Sequence, residues 1–298
     1  MTGVALHGAL AVHPGALGDV LLAIPAVRAL RVTTGSVAVA AQRHIAALLV
    51  ALAEADAAHD FEGLRLDALF TDDGEPVLPV EERIVCWFGA RDAAFTRRLR
   101  ARAPDAVIAP SIGAGVVWEH LLRTVGAPVG EWRGVARVVA PLVAAGRAAL
   151  LAAGWDGRRR FILVQPGAGG IHKRWPAEGF AAALADVGDA ALVMHEGPAD
   201  AAAVSALAAR LPDALRLRAP ALPTLAGALH LATMFVGNDS GVSHLAASVG
   251  APSVILFLDS NLAWRPWAIE PEVLPVTVSR VVDSDVATVR AAIRRRLP

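Results

Sequence analysis

The chain has no tyrosine, a single cysteine and three methionines in 298 residues, and direct counting shows that 27 of its 28 basic residues are arginine. Each shortage excludes something. One cysteine, Cys86, rules out an internal disulfide framework and any multi-cysteine metal site. Without tyrosine, and with only seven tryptophans, the chain does not read as an aromatic platform for glycans or single-stranded nucleic acid. Twenty-eight basic residues balance 28 acidic ones, so no general field draws the protein to nucleic acid. Residues 219–238 and 240–258 lack charge. Pro220, Pro223 and Gly227 break the first, and Gly241, Gly250 and Pro252 the second, as expected of buried strands and helices rather than membrane spans. No basic stretch precedes an apolar core between Met1 and Gly18, so no secretory leader and a cytoplasmic location are expected.

What is present is an apolar chain, 55% hydrophobic and 19% charged, long enough for two domains of ~150 residues. Short apolar runs alternate with helical patterns, the signature of βαβ units around parallel sheets. Strands are expected at 9–13, 37–41, 84–87 and, more weakly, 106–109. Helices are expected at 19–31, 45–55, 92–103 and 116–125. The stretch 126–158 carries Gly126, Pro128, Gly130, an alanine-rich helix from Val138 and then Gly154-Trp155-Asp156-Gly157, and reads as a domain connection. Alternation then resumes, with strands at 161–165, 191–195, 234–236 and 254–257. The helices expected between and after them are 176–187, 199–211, 222–230, 241–249 and 286–297. The simplest architecture is two doubly wound domains, 1–150 and 151–298, facing a central cleft at the carboxyl ends of their strands.

Three glycine-containing turns carry the chemistry. The first, His13-Pro14-Gly15-Ala16-Leu17-Gly18-Asp19, lacks the G-x-G-x-x-G and G-x-x-x-x-G-K-[ST] patterns, which argues against nicotinamide dehydrogenases and P-loop NTPases. Gly15 and Gly18 let backbone approach a ligand, and spacing alone makes Asp19 a helix cap. The second is Gln165-Pro166-Gly167-Ala168-Gly169-Gly170-Ile171-His172-Lys173-Arg174-Trp175-Pro176. Its Lys173 is the only lysine in an arginine-dominated chain, which suggests a site needing a compact ammonium rather than a planar fork. Gly167, Ala168 and Gly169 form a candidate phosphate loop. In the third turn, 237–247, Ser240 is a candidate cap, the helix starting at Gly241 offers amides to an anion, and His244 lies one turn on. A histidine there could equally be a hydrogen-bonded core residue. No D-x-D pair of the kind that binds a metal–diphosphate sits at a plausible strand end.

These three segments, PGALGDVLLAIPAVRALR, QPGAGGIHKRWP and GNDSGVSHLAASVGAPSVILF, resemble in order and spacing the family 9 glycosyltransferases, the lipopolysaccharide heptosyltransferase group. The resemblance implies two Rossmann-like domains of GT-B type and an inverting sugar transfer that uses neither metal nor cofactor. The donor would be a nucleotide sugar, typically ADP-heptose. The acceptor would be lipopolysaccharide core, with peripheral contact at the inner face of the cytoplasmic membrane. Asp19 matches the proposed general base on an N-terminal, acceptor-side domain. Lys173 matches the lysine of the KRW segment that meets donor phosphate, and Asp239, Ser240, Gly241 and His244 match the D-[ST]-G-x-x-H segment that holds diphosphate and sugar. One departure stands out: Leu258-Asp259-Ser260-Asn261 replaces the usual G-P-T turn. Competing readings keep the fold but change the donor or use a protein acceptor, make the protein a silent nucleotide-sugar binder, or make it a sugar-nucleotide epimerase.

Overall fold

The computed structural model describes residues 8–71, 74–79, 83–269 and 271–297, so the first seven residues of the leader argument lie outside it. The chain forms two units, Met1–Gly134 and Val135–Pro298. In the first, the order is β1 (Ala9–Val12), α1 (Leu17–Leu22), α2 (Ile24–Thr34), β2 (Val37–Ala41), α3 (Arg43–Ala51) and β3 (Ala57–Asp60), then β4 (Arg83–Cys86), α4 (Ala93–Arg102), β5 (Val107–Ile108) and α5 (Val117–Thr124). Its sheet runs β3-β2-β1-β4-β5 with every pairing parallel.

The second unit contains α6 (Ala140–Ala152), β6 (Phe161–Gln165), α7 (Ala177–Ala183), β7 (Ala191–Glu196), α8 (Ala201–Ala208) and β8 (Leu215–Arg218). It continues with α9 (Leu222–Leu231), β9 (Met234–Asn238), α10 (Gly241–Ser248), β10 (Ser253–Phe257), β11 (Glu272–Pro275) and α11 (Asp283–Arg296). Its sheet, β11-β10-β9-β6-β7-β8, is again parallel throughout. Both sheets therefore have the doubly wound order in which the first strand sits between the second and the fourth. At that point successive crossovers leave in opposite directions, and a crevice opens above the strand ends. The crevice lies between β1 and β4 in one unit and between β6 and β9 in the other.

Strands β1, β2, β6, β9 and β10 are buried along their whole length, as expected when helices cover both faces. In the first unit Leu10, Val12, Ile84, Phe95 and Leu99 share one core; in the second, Ile162, Val164, Phe180, Met194, Val236 and Ile293 share another. Among the described residues no helix is long and apolar enough to cross a membrane.

Two expectations need correction. The boundary falls at Gly134/Val135, not at residue 150. The reason is close helix contact: a Cβ at Gly146 of α6 would lie 2.2 Å from the Ala228 amide nitrogen, and one at Gly227 of α9 would lie 1.9 Å from the Leu142 carbonyl oxygen. Glycine on both sides lets α6 and α9 cross backbone to backbone, which ties α6 to the second unit. The helix expected at 19–31 is two helices that break at Ala23. Pro25, in the first turn of α2, lacks the N–H needed to continue α1, and its ring crowds the carbonyl four residues back.

Candidate functional site

In the first unit the crevice is occupied by a cavity of about 240 Å³ lined by His13, Pro14, Gly15, Asp19, Trp87, Phe88, Ser111, Ile112 and Val117. The turn after β1 supplies the first three, α1 supplies Asp19, and the segment after β4 supplies the tryptophan and phenylalanine. A more open hollow shares Trp87, Phe88, Ser111 and Ile112 and extends past Phe70 to Arg91 and Asp92. Phe88 is held edge-on by Phe61, Phe70 and Phe95. Trp87 is fixed by an indole N–H donated to Thr124 Oγ1 at 2.9 Å.

Asp19 is not the N-cap that spacing suggested. The cap is Ala16, and Asp19 stands at the third helical position of α1, where its Oδ2 accepts the Ala16 N–H at 3.2 Å. Alanine has no side-chain acceptor to return the favour, so this is half of a capping box. Half-buried and on the cavity wall, Asp19 keeps acceptor capacity beyond that single long bond. Gly18 is the second residue of α1. Gly15 is obligatory for packing: a Cβ there would lie 2.7 Å from the His13 ring and 2.8 Å from Asp19 Cβ. His13 is buried, its Nδ1 accepts the Gly15 N–H at 3.2 Å, and desolvation lowers its pKa to about 4, which keeps the ring neutral. Cys86, the last residue of β4, is also buried, with its thiol pushed up to about 12 by the same cause, so it is no nucleophile.

The second unit brings the remaining predicted residues together at the other crevice. A short 3-10 turn, Ile171–Lys173, follows the glycine loop and carries Lys173, whose Nζ lies 2.8 Å from Asp239 Oδ2. Asp239 follows β9, is buried, and has His244 Nε2 at 4.0 Å from its other oxygen. Ser240 is the N-cap of α10 and accepts the Ser243 N–H on its Oγ, as expected, while Gly241 opens the helix. Asn238 staples the crevice: its Oδ1 accepts the Trp175 N–H at 3.0 Å and its Nδ2 donates to Pro166 O at 2.8 Å. Trp175 is thereby a core anchor.

The glycine loop has two aspects. Gly167 is demanded by packing, since a Cβ would sit 1.8 Å from Asp200 Oδ1; Gly169 meets nothing within 4 Å and faces open space. Among the described residues the N–H groups of Gly167, Ala168 and Gly169 find no protein acceptor. The Ala168 carbonyl accepts from Arg174 Nη2 at 3.2 Å. Beside the loop lies a buried chain that sequence reasoning missed. His195 Nδ1 donates to Gln165 Oε1 at 2.6 Å, and Gln165 Nε2 donates to Asp200 Oδ2 at 3.0 Å. Desolvation lowers the His195 pKa to about 4, against the opposing pull of Asp200 and Glu196. A second omission is Asn261, from the segment that replaces the G-P-T turn, whose Nδ2 donates to Asp239 Oδ2 at 3.1 Å. Asp259 in the same segment is exposed. Among the described residues no three His, Cys, Asp or Glu side chains cluster as a metal site would.

Two doubly wound units, each with its polar groups at the strand-order reversal, define a fold of GT-B type. Residues 134–280 match the family model described as glycosyltransferase family 9 (heptosyltransferase). Lipopolysaccharide heptosyltransferase 3 of Escherichia coli is 30% identical over 118 residues, a match that takes in 37% of this chain and 35% of that protein. Two solved structures share the fold over nearly the whole chain. The family 9 glycosyl transferase from Veillonella parvula has a TM-score of 0.75 at 16% identity, covering 99% of this chain and 98% of that one. The E. coli ADP-heptose lipopolysaccharide heptosyltransferase II has a TM-score of 0.74 at 18% identity, covering 97% and 98%.

Proposed function

We propose that the protein is an inverting, metal-independent glycosyltransferase that moves a sugar, heptose from ADP-heptose, to lipopolysaccharide core or a related surface glycan, working in the cytoplasm at the inner membrane face. The observation that carries this reading is the convergence of Lys173, Asp239, Ser240 and His244 on the first turn of α10, beside a glycine loop with unspent amides. A diphosphate gains negative charge as it leaves the sugar. An ammonium, loop amides and the positive end of α10 are groups that stabilise that charge without a metal ion. Asp239 holds Lys173 in place before donor binds, and His244 lies within reach of the same carboxylate. In the first unit, Asp19 takes the proton from the acceptor hydroxyl as that hydroxyl attacks the anomeric carbon, with inversion. A positioned base of this kind contributes about 10²–10⁴-fold.

The test is release of ADP from ADP-heptose by the full-length protein, with and without heptose-free core oligosaccharide and with and without EDTA. Acceptor-dependent release that survives chelation is expected. Release abolished by EDTA and restored by magnesium overturns the metal-free mechanism. Tight ADP-heptose binding with no release under any condition makes the protein a binder rather than an enzyme.

A further inference from the structure

The cavity beside Asp19 contains a second polar group that the reading above leaves without a role. His13 is 3% exposed and lines that cavity. Its Nδ1 is occupied as an acceptor by the Gly15 N–H, so in the neutral ring the proton sits on Nε2. Nε2 makes no hydrogen bond to any described residue. Nε2 is not sealed off among the buried unpartnered polar atoms, so its N–H is open to a group that enters the cavity. Trp87 lies beside the ring, tilted at 5.9 Å between centroids, and the ring packs so near Gly15 that a Cβ there would lie 2.7 Å from it. His13 and Asp19 flank the same glycine, so one offers a donor and the other an acceptor to whatever enters.

We propose that His13 is a catalytic-site residue whose Nε2–H donates to an oxygen of the acceptor sugar and thereby sets the attacking hydroxyl against Asp19. This rests on the acceptor-side reading of the first unit. The ligand class is a polyhydroxylated ring, which can accept from His13 and donate to Asp19 at neighbouring oxygens while its apolar face lies on Trp87 and Phe88. A neutral imidazole suits the task. Charged, it would pair with Asp19 and weaken the base; its depressed pKa keeps it neutral throughout the physiological range.

Asparagine and glutamine separate the two nitrogens of the ring. His13→Asn places an amide oxygen where Nδ1 accepts from Gly15 and provides nothing at Nε2. His13→Gln reaches the Nε2 position with a donor and abandons the Gly15 bond. With ADP-heptose and heptose-free core oligosaccharide as probes, we expect His13→Asn to raise the acceptor KM about fivefold to tenfold, the value of one uncharged hydrogen bond, with donor KM unchanged. His13→Gln should recover part of that loss despite a lower Tm. If His13 served only to brace the turn, the order would reverse, with Asn near wild type and Gln worse; that result overturns the proposal and leaves the transferase reading intact. If His13→Asn fails to fold, the wild-type protein carries the test through nitrogen-labelled histidine. The His13 Nε2–H resonance should shift on adding oligosaccharide alone, and binding without such a shift overturns the proposal. No transfer and no oligosaccharide binding by wild type overturns both readings.

Discussion

The two crevices are the same topological feature built twice, yet they hold their charged groups in opposite ways. In the second unit the polar side chains are already tied together: Lys173 and Asn261 hold one oxygen of Asp239, and Asn238 laces the two loops. In the first unit Asp19 and His13 each spend one bond on backbone and present the rest to a cavity. A site that must accept a multiply charged diphosphate gains from cations fixed in advance, because no reorganisation is then needed as charge develops. A proton acceptor needs the reverse: a carboxylate with no strong partner, whose affinity for a proton is not lowered by a neighbouring cation.

The largest expected effect comes from breaking the first crevice. Asp19→Asn should lower turnover by about 10²-fold or more, since an amide cannot take up the proton. It keeps an oxygen for the Ala16 N–H and loses only a charge near the helix start, worth about 0.3–1 kcal/mol, so the Tm should barely move. Donor Kd should be unchanged. Turnover at the wild-type level would return Asp19 to a purely structural role.

In the second crevice binding and stability should fall together. Lys173→Ala leaves Asp239, 5% exposed at its side chain, without its cation, while Lys173 itself is 31% exposed and partly screened. We expect donor binding to weaken tenfold or more and stability to drop by about 1–3 kcal/mol, less than for a fully buried pair. Adding Asp239→Asn should return much of the stability and none of the donor affinity. Lys173→Arg should restore charge but not full activity, because a planar fork replaces a compact ammonium. Independent, additive stability losses in the double variant would refute the coupling.

Acid should affect both regions alike. His13 and His195 have pKa values lowered to about 4, whereas an unfolded histidine titrates near 6.5. The unfolded chain therefore binds protons first as pH falls. The stability present above about pH 6.5 should decline down to about pH 4 and then cease to depend on these two groups. By linkage each contributes at most about 3 kcal/mol across that window. Urea melts at pH 7.5 and 5 measure the sum, and His195→Gln should flatten the slope by about half. A slope unchanged in that variant would mean that His195 is not held neutral.

The smallest effect is expected at Asn261. Asn261→Ala should free one oxygen of Asp239, cost about 1 kcal/mol and raise the donor KM only a fewfold, since Lys173 remains. A loss as large as that of Lys173→Ala would show that the replaced turn, rather than the lysine, positions the carboxylate.

Most strands could be read from the sequence because central parallel strands are unbroken apolar runs; Val37–Ala41 and Phe161–Gln165 lie where the pattern puts them. The strands missed were β3, β8 and β11, every one at a sheet edge, and the one read as weak, β5, is an edge too. Edge strands are short and half covered, so Ala57–Asp60 shows no apolar run. Leu215–Arg218 does alternate, and that signal was available. The boundary was drawn late in the 126–158 connection because that stretch shows no local sign of which unit its helix joins, and only the crossing at Gly146 and Gly227 decides it.

By itself the sequence determined the two-unit α/β class, the three glycine turns and, through composition, Lys173 as a residue of interest. These depend on period, turn chemistry and composition, which are local properties. The tertiary structure alone decided that Lys173 and Asp239, 66 residues apart in number, touch at 2.8 Å, and that Asn261 joins them. It also decided that His13 shares a cavity wall with Asp19 and Trp87. Parallel sheets join strands far apart in sequence, so the residues at a strand-order reversal become neighbours only once the crossovers have been made.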